Sequence, residues 1–422
     1  MSATVAQPGT RPRSVAVIGA GIVGVSTALF LQRDGHAVTL IDREGPASGA
    51  SYGNAGGVVS AACAPLGMPG VLRRVPSMLM DPTGPLVLRW RYLPTIAPWL
   101  ARLVVASRPS RVERIADALA ALNGGVEAAW RSLAAQAGLA DLLRPVGWLE
   151  VFETDWGLAE TAAERDLMAR RGLPFEVLNA DELRQLEPSL APIFKHGFHR
   201  LSCLFVANPG RAVKRLAEDF VGRGGRLVTA EVTGFRLEGW PYRVLAESGG
   251  AFDTDAIVLT AGAWSRGLAR QLGASVPLDT ERGYHLMLPP VEPGLGRPTV
   301  HGEQSFSLSP MEHGTRLTSQ VEFAGLDAPP DFRRVRGLLG AAKRMLPALE
   351  IAEQSAWLGF RPSLPDSLPV IAAVDGRPDV YLGFGHGHLG MTQGPVTGRI
   401  LADVIAGRDP GIDLAPYRCD RW

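Results

Sequence analysis

The run Ser14-Val15-Ala16-Val17-Ile18-Gly19-Ala20-Gly21-Ile22-Val23-Gly24 sets the architecture of this chain. Its first five residues are almost all apolar and rich in β-branched side chains, which suits a short strand buried on both faces of a parallel sheet. Residues 22–33 follow with helix formers and an apolar stripe, and residues 37–42 read as a second buried strand ending at Asp42. That is a βαβ unit of about 30 residues. Gly19, Gly21 and Gly24 fit GxGxxG, in which the first glycine turns the chain, the second admits a pyrophosphate against the backbone and the third packs helix on strand. Asp42 lies near the offset of ~20 residues expected for an acid that binds ribose hydroxyls. The helix N-terminus at Gly21 offers N–H groups and a positive dipole end to phosphates. A dinucleotide site follows.

The chain has 422 residues, enough for two domains or one large interleaved pair. With 43 basic and 42 acidic residues, nothing biases it globally toward nucleic acid. Its 49 glycines exceed the usual share of roughly 7% without the period of collagen. Cys63, Cys203 and Cys419 lack CxxC or metal spacing, so reduced thiols and a cytoplasmic location are expected. Residues 1–14 lack the apolar core of a signal peptide and read as a frayed leader. No apolar run approaches the roughly 18 residues of a membrane span.

After Asp42 an NAD domain would continue into another helix–strand repeat. Here residues 45–70 instead form an almost uncharged stretch of Gly, Ala, Ser and Pro, and the loop at 51–57 suits backbone lying against a flat ring. A proline-punctuated helical layer is expected over 71–139. Strands are expected at 147–152, 283–288, 305–308 and 315–319, suggesting an antiparallel sheet in a second domain. A helix at 210–221, strands at 225–232 and 256–260, and a closing strand and helix at 381–383 and 397–405 return the chain to the first domain. The expected division gives 1–85, 200–275 and 355–422 to the nucleotide domain, and 86–199 and 276–354 to a substrate domain. The fold class is α/β with an α+β second domain.

Six segments together carry a resemblance: GAGIVG (19–24), SYGNAGG (51–57), AIVLTAGAWS (256–265), RGYHLML (282–288), GFRPSLPDSLPVIA (359–372) and FGHGHLGMTQGPVTGRILADVI (384–405). The sequence resembles the FAD-dependent amine and D-amino-acid oxidoreductases over nearly its whole length, and within them looks most like bacterial D-amino acid dehydrogenases. The resemblance implies a glutathione-reductase-type flavin fold. It implies that FAD is held by Gly19, Gly21, Ile22, Val23, Gly24, Asp42 and Arg43, by Ser51, Asn54, Ala55 and Gly57, and by Ala261 and Gly262, with Val232 near the adenine. Gly387, Leu389, Gly390 and Met391 would lie against the isoalloxazine, where a following helix N-terminus stabilises the charge of reduced flavin. Relatives with flavin linked to histidine usually carry His in the 51–57 loop; position 54 is Asn, so non-covalent FAD is expected. His386 and His388 lack a nearby carboxylate partner, and no metal is expected.

Arg361 precedes a proline that biases it toward extended backbone, and its planar fork suits a carboxylate. The resemblance makes it the grip on the substrate carboxylate. Tyr284 and His285 are adjacent on a strand, so only one should face the substrate. Tyr284 is the expected hydroxyl donor, and His285 the weaker candidate for the flavin side or for amine deprotonation. Asp366 is expected to order its turn. The implied reaction is oxidation of a small D-amino acid or cyclic imino acid of the proline or hydroxyproline type, by hydride transfer from Cα to flavin N5. An imine that hydrolyses to a 2-oxo acid would follow. The alternatives are a glycine or sarcosine oxidase of the same fold, or a non-catalytic flavoprotein subunit. The acceptor would be dioxygen or a quinone of the respiratory chain. Residues 92–105, flanked by arginines, suit either a membrane surface, at the inner face of the cell membrane, or packing against the substrate domain.

Overall fold

The computed structural model describes residues 13–69 and 86–422. Residues 1–12 of the expected leader and residues 71–85, the start of the helical layer, lie outside the described residues.

Ser14–Ile18 (β1) and Ala37–Asp42 (β2) flank the helix Ile22–Arg33 (α1), as the pattern predicts. β1 is the centre of a six-stranded sheet ordered Arg226–Thr229, β2, β1, Ala256–Leu259, Arg377–Phe384 and Val370–Val374. All its pairings are parallel except the last. β1 residues from Val15 onward are buried, which is why they carry no polar alternation. On one face of this sheet α1, Pro209–Gly222 and the C-terminal helix Gly390–Ile405 share a core with Pro109–Asn123 and Val126–Ala137. The other face is covered by a three-stranded sheet formed by residues 232–254.

Among the described residues the second sheet has nine strands. Its path runs Ser355–Ser363, Asp279–Leu288, Gly314–Phe323, Phe306–Met311, Thr299–His301, Trp148–Phe152, His196–Arg200 and Phe175–Asn179, with Leu86–Leu88 beside Gly314–Phe323. Most neighbours are antiparallel; Thr299–His301 runs parallel to Trp148–Phe152.

Three expectations need correction. The helices at 109–137, assigned to the substrate domain, pack on the nucleotide sheet: Trp130 is fully buried there and its indole N–H donates to the Met391 carbonyl at 2.9 Å. Strand Ser355–Ser363, assigned to the nucleotide domain, is the edge of the nine-stranded sheet. An amphipathic pattern tells that a face will be buried but not against which partner. The C-terminal helix starts at Gly390, well before 397, and includes Pro395. Its glycines serve contact with α1, since a Cβ at Gly398 would lie 2.6 Å from the Thr27 nitrogen.

The helix Leu93–Ala106 buries Ile96 and Trp99 against Phe323 of the nine-stranded sheet, while Val104 and Val105 stay exposed. Among the described residues no helix is long and apolar enough to cross a membrane. All three cysteines are free and buried.

Candidate active site

Two adjoining cavities lie where the sheets meet. The first, of about 390 Å³, is walled by Gly19, Gly21, Ile22 and Val23 at the start of α1, by Asp42 and Arg43, by Ser51 and Asn54, and by Val232, Ala261 and Gly262. Gly387, Gly390 and Met391 close its other end. Gly19 takes φ +102°, and a Cβ there would come within 2.6 Å of the Thr260 carbonyl oxygen, so only glycine makes this turn. Gly24 is not in the wall: a Cβ would meet the Gly19 oxygen at 1.8 Å, so its role is close packing of α1 on the turn.

Local hydrogen bonds hold this wall. The Asp42 carboxylate accepts from Ala20 N at 2.7 Å and from Glu44 N and Gly45 N at 2.9 Å, tying the GxGxxG turn to the end of β2. Ser51 Oγ accepts from Ile22 N at 3.0 Å. Asn54 folds its own loop, donating to the Ser51 carbonyl and accepting from Gly56 N. At the Val232 end, the Arg43 guanidinium lies 3.9 Å from the Trp264 ring centroid, a stack that the sequence did not advertise. A glycine turn that a side chain would block, a helix N-terminus and a carboxylate at the strand end fit a flavin dinucleotide.

The second cavity, of about 360 Å³, shares Ala50, Asn54, Arg361, His388 and Met391 with the first. Ala55, Gly57 and Leu389 line this second cavity rather than the first. Its floor is one face of the ladder between Asp279–Leu288 and Ser355–Ser363, where Glu281 pairs with Arg361, Gly283 with Gly359 and His285 with Trp357. The two glycines make the floor thin. A Cβ at Gly283 would lie 2.4 Å from Arg361 Nη2, so the guanidinium rests directly on that backbone. A Cβ at Gly359 would lie 2.1 Å from the Trp357 ring. Arg361 is half-buried and lines both cavities. Burial lowers its guanidinium from the ordinary value, and Glu281 partly offsets this.

Of the adjacent pair Tyr284 and His285, only Tyr284 reaches the second cavity. Tyr284 contributes to the second cavity's wall, but its hydroxyl donates to Glu322 Oε2 at 2.5 Å and accepts from Arg282 Nη2 at 3.2 Å. Burial first, then this bond, raises its phenol above the usual range. His285 lines neither cavity among the described residues. Its ring stacks on Trp357 at 5.2 Å, and Nδ1 lies 2.8 Å from the Gly53 carbonyl oxygen, fixing the 51–57 loop. Burial, with Arg316 next in effect, pushes its imidazole down to about 4, so it is neutral at physiological pH. Nδ1 therefore donates to that carbonyl.

His386 and His388 have separate surroundings. His386 is buried beside Thr397 Oγ1 at 2.9 Å, and burial holds it down to about 3. The His388 ring is accessible from both cavities yet enclosed by protein around them; burial, then Arg361, pushes it down to about 4. Asp366 accepts from Leu368 N within its turn and pairs with Arg421 at 2.8 Å. Glu281, Trp357 and Trp148 line the second cavity without having been singled out from sequence. The one available signal was period two: Glu281 and Gly283 share a strand face.

A family model described as FAD-dependent oxidoreductase (DAO) matches residues 14–404. The chain belongs to the DAO family of FAD-dependent oxidoreductases. It is 37% identical over 417 residues to a protein of Bradyrhizobium diazoefficiens named D-amino-acid oxidase, covering 97% of this chain and 99% of that one. A Rhizobium rhizogenes protein named D-amino acid dehydrogenase is 28% identical over 436 residues, covering 97% and 99% respectively. The solved structure of glycine oxidase from Geobacillus kaustophilus superposes with TM-score 0.70 at 22% identity, covering 98% of this chain and 100% of that one. That likeness establishes the shared fold. As a member of this family the protein is an FAD-dependent oxidoreductase, and the first cavity is the place whose residues suit the cofactor.

Proposed function

We propose that this enzyme oxidatively deaminates a D-amino acid or cyclic imino acid, with FAD held non-covalently in the first cavity. The observation that carries the reading is Arg361, which lines both cavities and rests on a glycine ladder. A guanidinium so held can bind a carboxylate in bidentate fashion and orient the rest of the molecule. The names of the Bradyrhizobium and Rhizobium relatives support a D-amino acid as substrate.

Bound FAD supplies the two-electron acceptor for the substrate Cα–H; the chain supplies position and environment. Asn54, and Met391 at the start of the C-terminal helix, line both cavities and so border the place where they join. Trp148, Trp357, Phe306 and Leu66 give the second cavity apolar walls that exclude water and suit an apolar side chain. Such walls favour a substrate that has a side chain over glycine or sarcosine.

Purified holoenzyme should be yellow and bleach anaerobically with D-leucine, D-alanine or D-proline. Arg361→Ala should raise KM at least about tenfold, as loss of a charge-assisted bond does. Bleaching and KM unchanged in that variant would refute the carboxylate grip, and bleaching by sarcosine alone would select the glycine-oxidase alternative. Repeating the screen under air, and under argon with an artificial quinone, separates dioxygen from quinone as acceptor.

A further inference from the structure

We infer that Glu281 is the second half of the substrate grip: it binds the ammonium group of the amino acid and takes a proton from it, while Arg361 holds the carboxylate. This rests on the amino-acid reading above. Among the described residues lining the second cavity, Glu281 and Arg361 are the one carboxylate and the one guanidinium, and every Lys and other acid lies elsewhere. They stand opposite each other on adjacent antiparallel strands, a spacing of about 4.5–5.5 Å between Cβ atoms. A zwitterionic amino acid carries its two charges on neighbouring groups of one Cα, so this pair mirrors the ligand. Glu281 is 3% exposed; Arg361 beside it offsets part of the cost of desolvating that carboxylate, and an ammonium group in the cavity would offset more.

The proton step balances simply. An N–H bond of the ammonium breaks, an O–H bond forms on the Glu281 carboxylate, and the electron pair stays on nitrogen. The neutral amine so formed is the species from which Cα–H can leave with its electrons. Burial raises the Glu281 carboxyl above the usual range, offset in part by Arg361, so it accepts a proton more readily than an exposed glutamate. The Ser363 side chain also lowers it, and Asp279 on its own strand raises it further; His388, which lines the same cavity, is neutral. Glu322, on the strand beyond, is already engaged by Arg89 and Arg282.

Glu281→Gln keeps shape and removes the charge. With D-leucine and D-proline as substrates, and 4-methylpentanoate and cyclopentanecarboxylate as competitive inhibitors lacking the amine, the variant holoenzyme separates the two halves of the grip. The expected result is a fall in kcat/KM of at least about tenfold, inhibitor Ki within about threefold of wild type, and normal FAD content. In wild type kcat/KM falls with acidification as Glu281 gains its proton, and Glu281→Gln should lose that limb. Glu281→Asp should restore part of the activity and the limb. The inference is overturned if Glu281→Gln leaves kcat/KM and its pH profile unchanged, or if Ki rises as much as kcat/KM falls. Arg361→Ala must weaken substrates and inhibitors alike. If it weakens neither, or if wild type handles neither amino acid, the underlying reading fails as well.

Discussion

Gly283→Ala tests the site at its thinnest point. The new Cβ would sit 2.4 Å from Arg361 Nη2 and 2.6 Å from Cζ, whereas ordinary contact begins at 3.4 Å. The guanidinium must therefore retreat by about 1.0 Å. The obstacle is the end of a flexible side chain, so the strand pairing between Asp279–Leu288 and Ser355–Ser363 survives the change. A misplacement of that size in a substrate-orienting group costs on the order of 100-fold in rate, which corresponds to about 2.7 kcal/mol. Steady-state kinetics with the best D-amino acid should show that loss in kcat/KM, and carboxylate inhibitors should weaken in parallel. Bound FAD and the melting temperature should stay near wild type. A kcat/KM within threefold of wild type would refute the reasoning, because the guanidinium would then not depend on the bare backbone beneath it. Loss of FAD would refute it differently, by showing that the ladder supports the cofactor rather than the arginine.

Tyr284→Phe removes a buried hydroxyl bonded to Glu322 and should cost about 1.5–3 kcal/mol of stability with KM changed less than threefold. A tenfold rise in KM at unchanged stability would instead restore the hydroxyl as a carboxylate donor. His285 and His386, with imidazoles held at about 4 and about 3, give a pH signature. Between the ordinary value near 6.5 and about pH 4, the unfolded chain takes protons that the folded chain refuses, so stability falls as pH falls. At pH 5 each group contributes a loss of roughly 2 kcal/mol. His386→Asn should lose less melting temperature between pH 7 and pH 5 than wild type does, and an identical pH slope would refute the assignment.

Much of the first cavity's wall was legible because its signals are local. The strand–glycine–helix unit, Asp42 and the 51–57 loop occupy one short stretch, and each glycine there reports on backbone nearby. The same locality explains what the pattern left open. Whether Tyr284 or His285 faces a substrate was argued from alternation alone, yet Glu322, 38 residues away, claims the Tyr284 hydroxyl. The carbonyl of Gly53 claims His285 from the other side. The helices at 109–137 show one apolar stripe that fits either sheet, and only packing with Val15, Leu29 and Ile400 assigns it.

The amino-acid sequence by itself pointed to a βαβ unit suited to a dinucleotide, to glycine-rich backbone suited to a flat cofactor, and to an arginine before a proline whose planar fork suits an anion. Hydrophobic periodicity and backbone sterics act over a few residues and can be read without a fold. Only the tertiary structure decided what meets that arginine. Strand register sets Glu281 opposite Arg361 and clears Gly283 beneath it, because side-chain direction in a sheet depends on which strands pair and in which register.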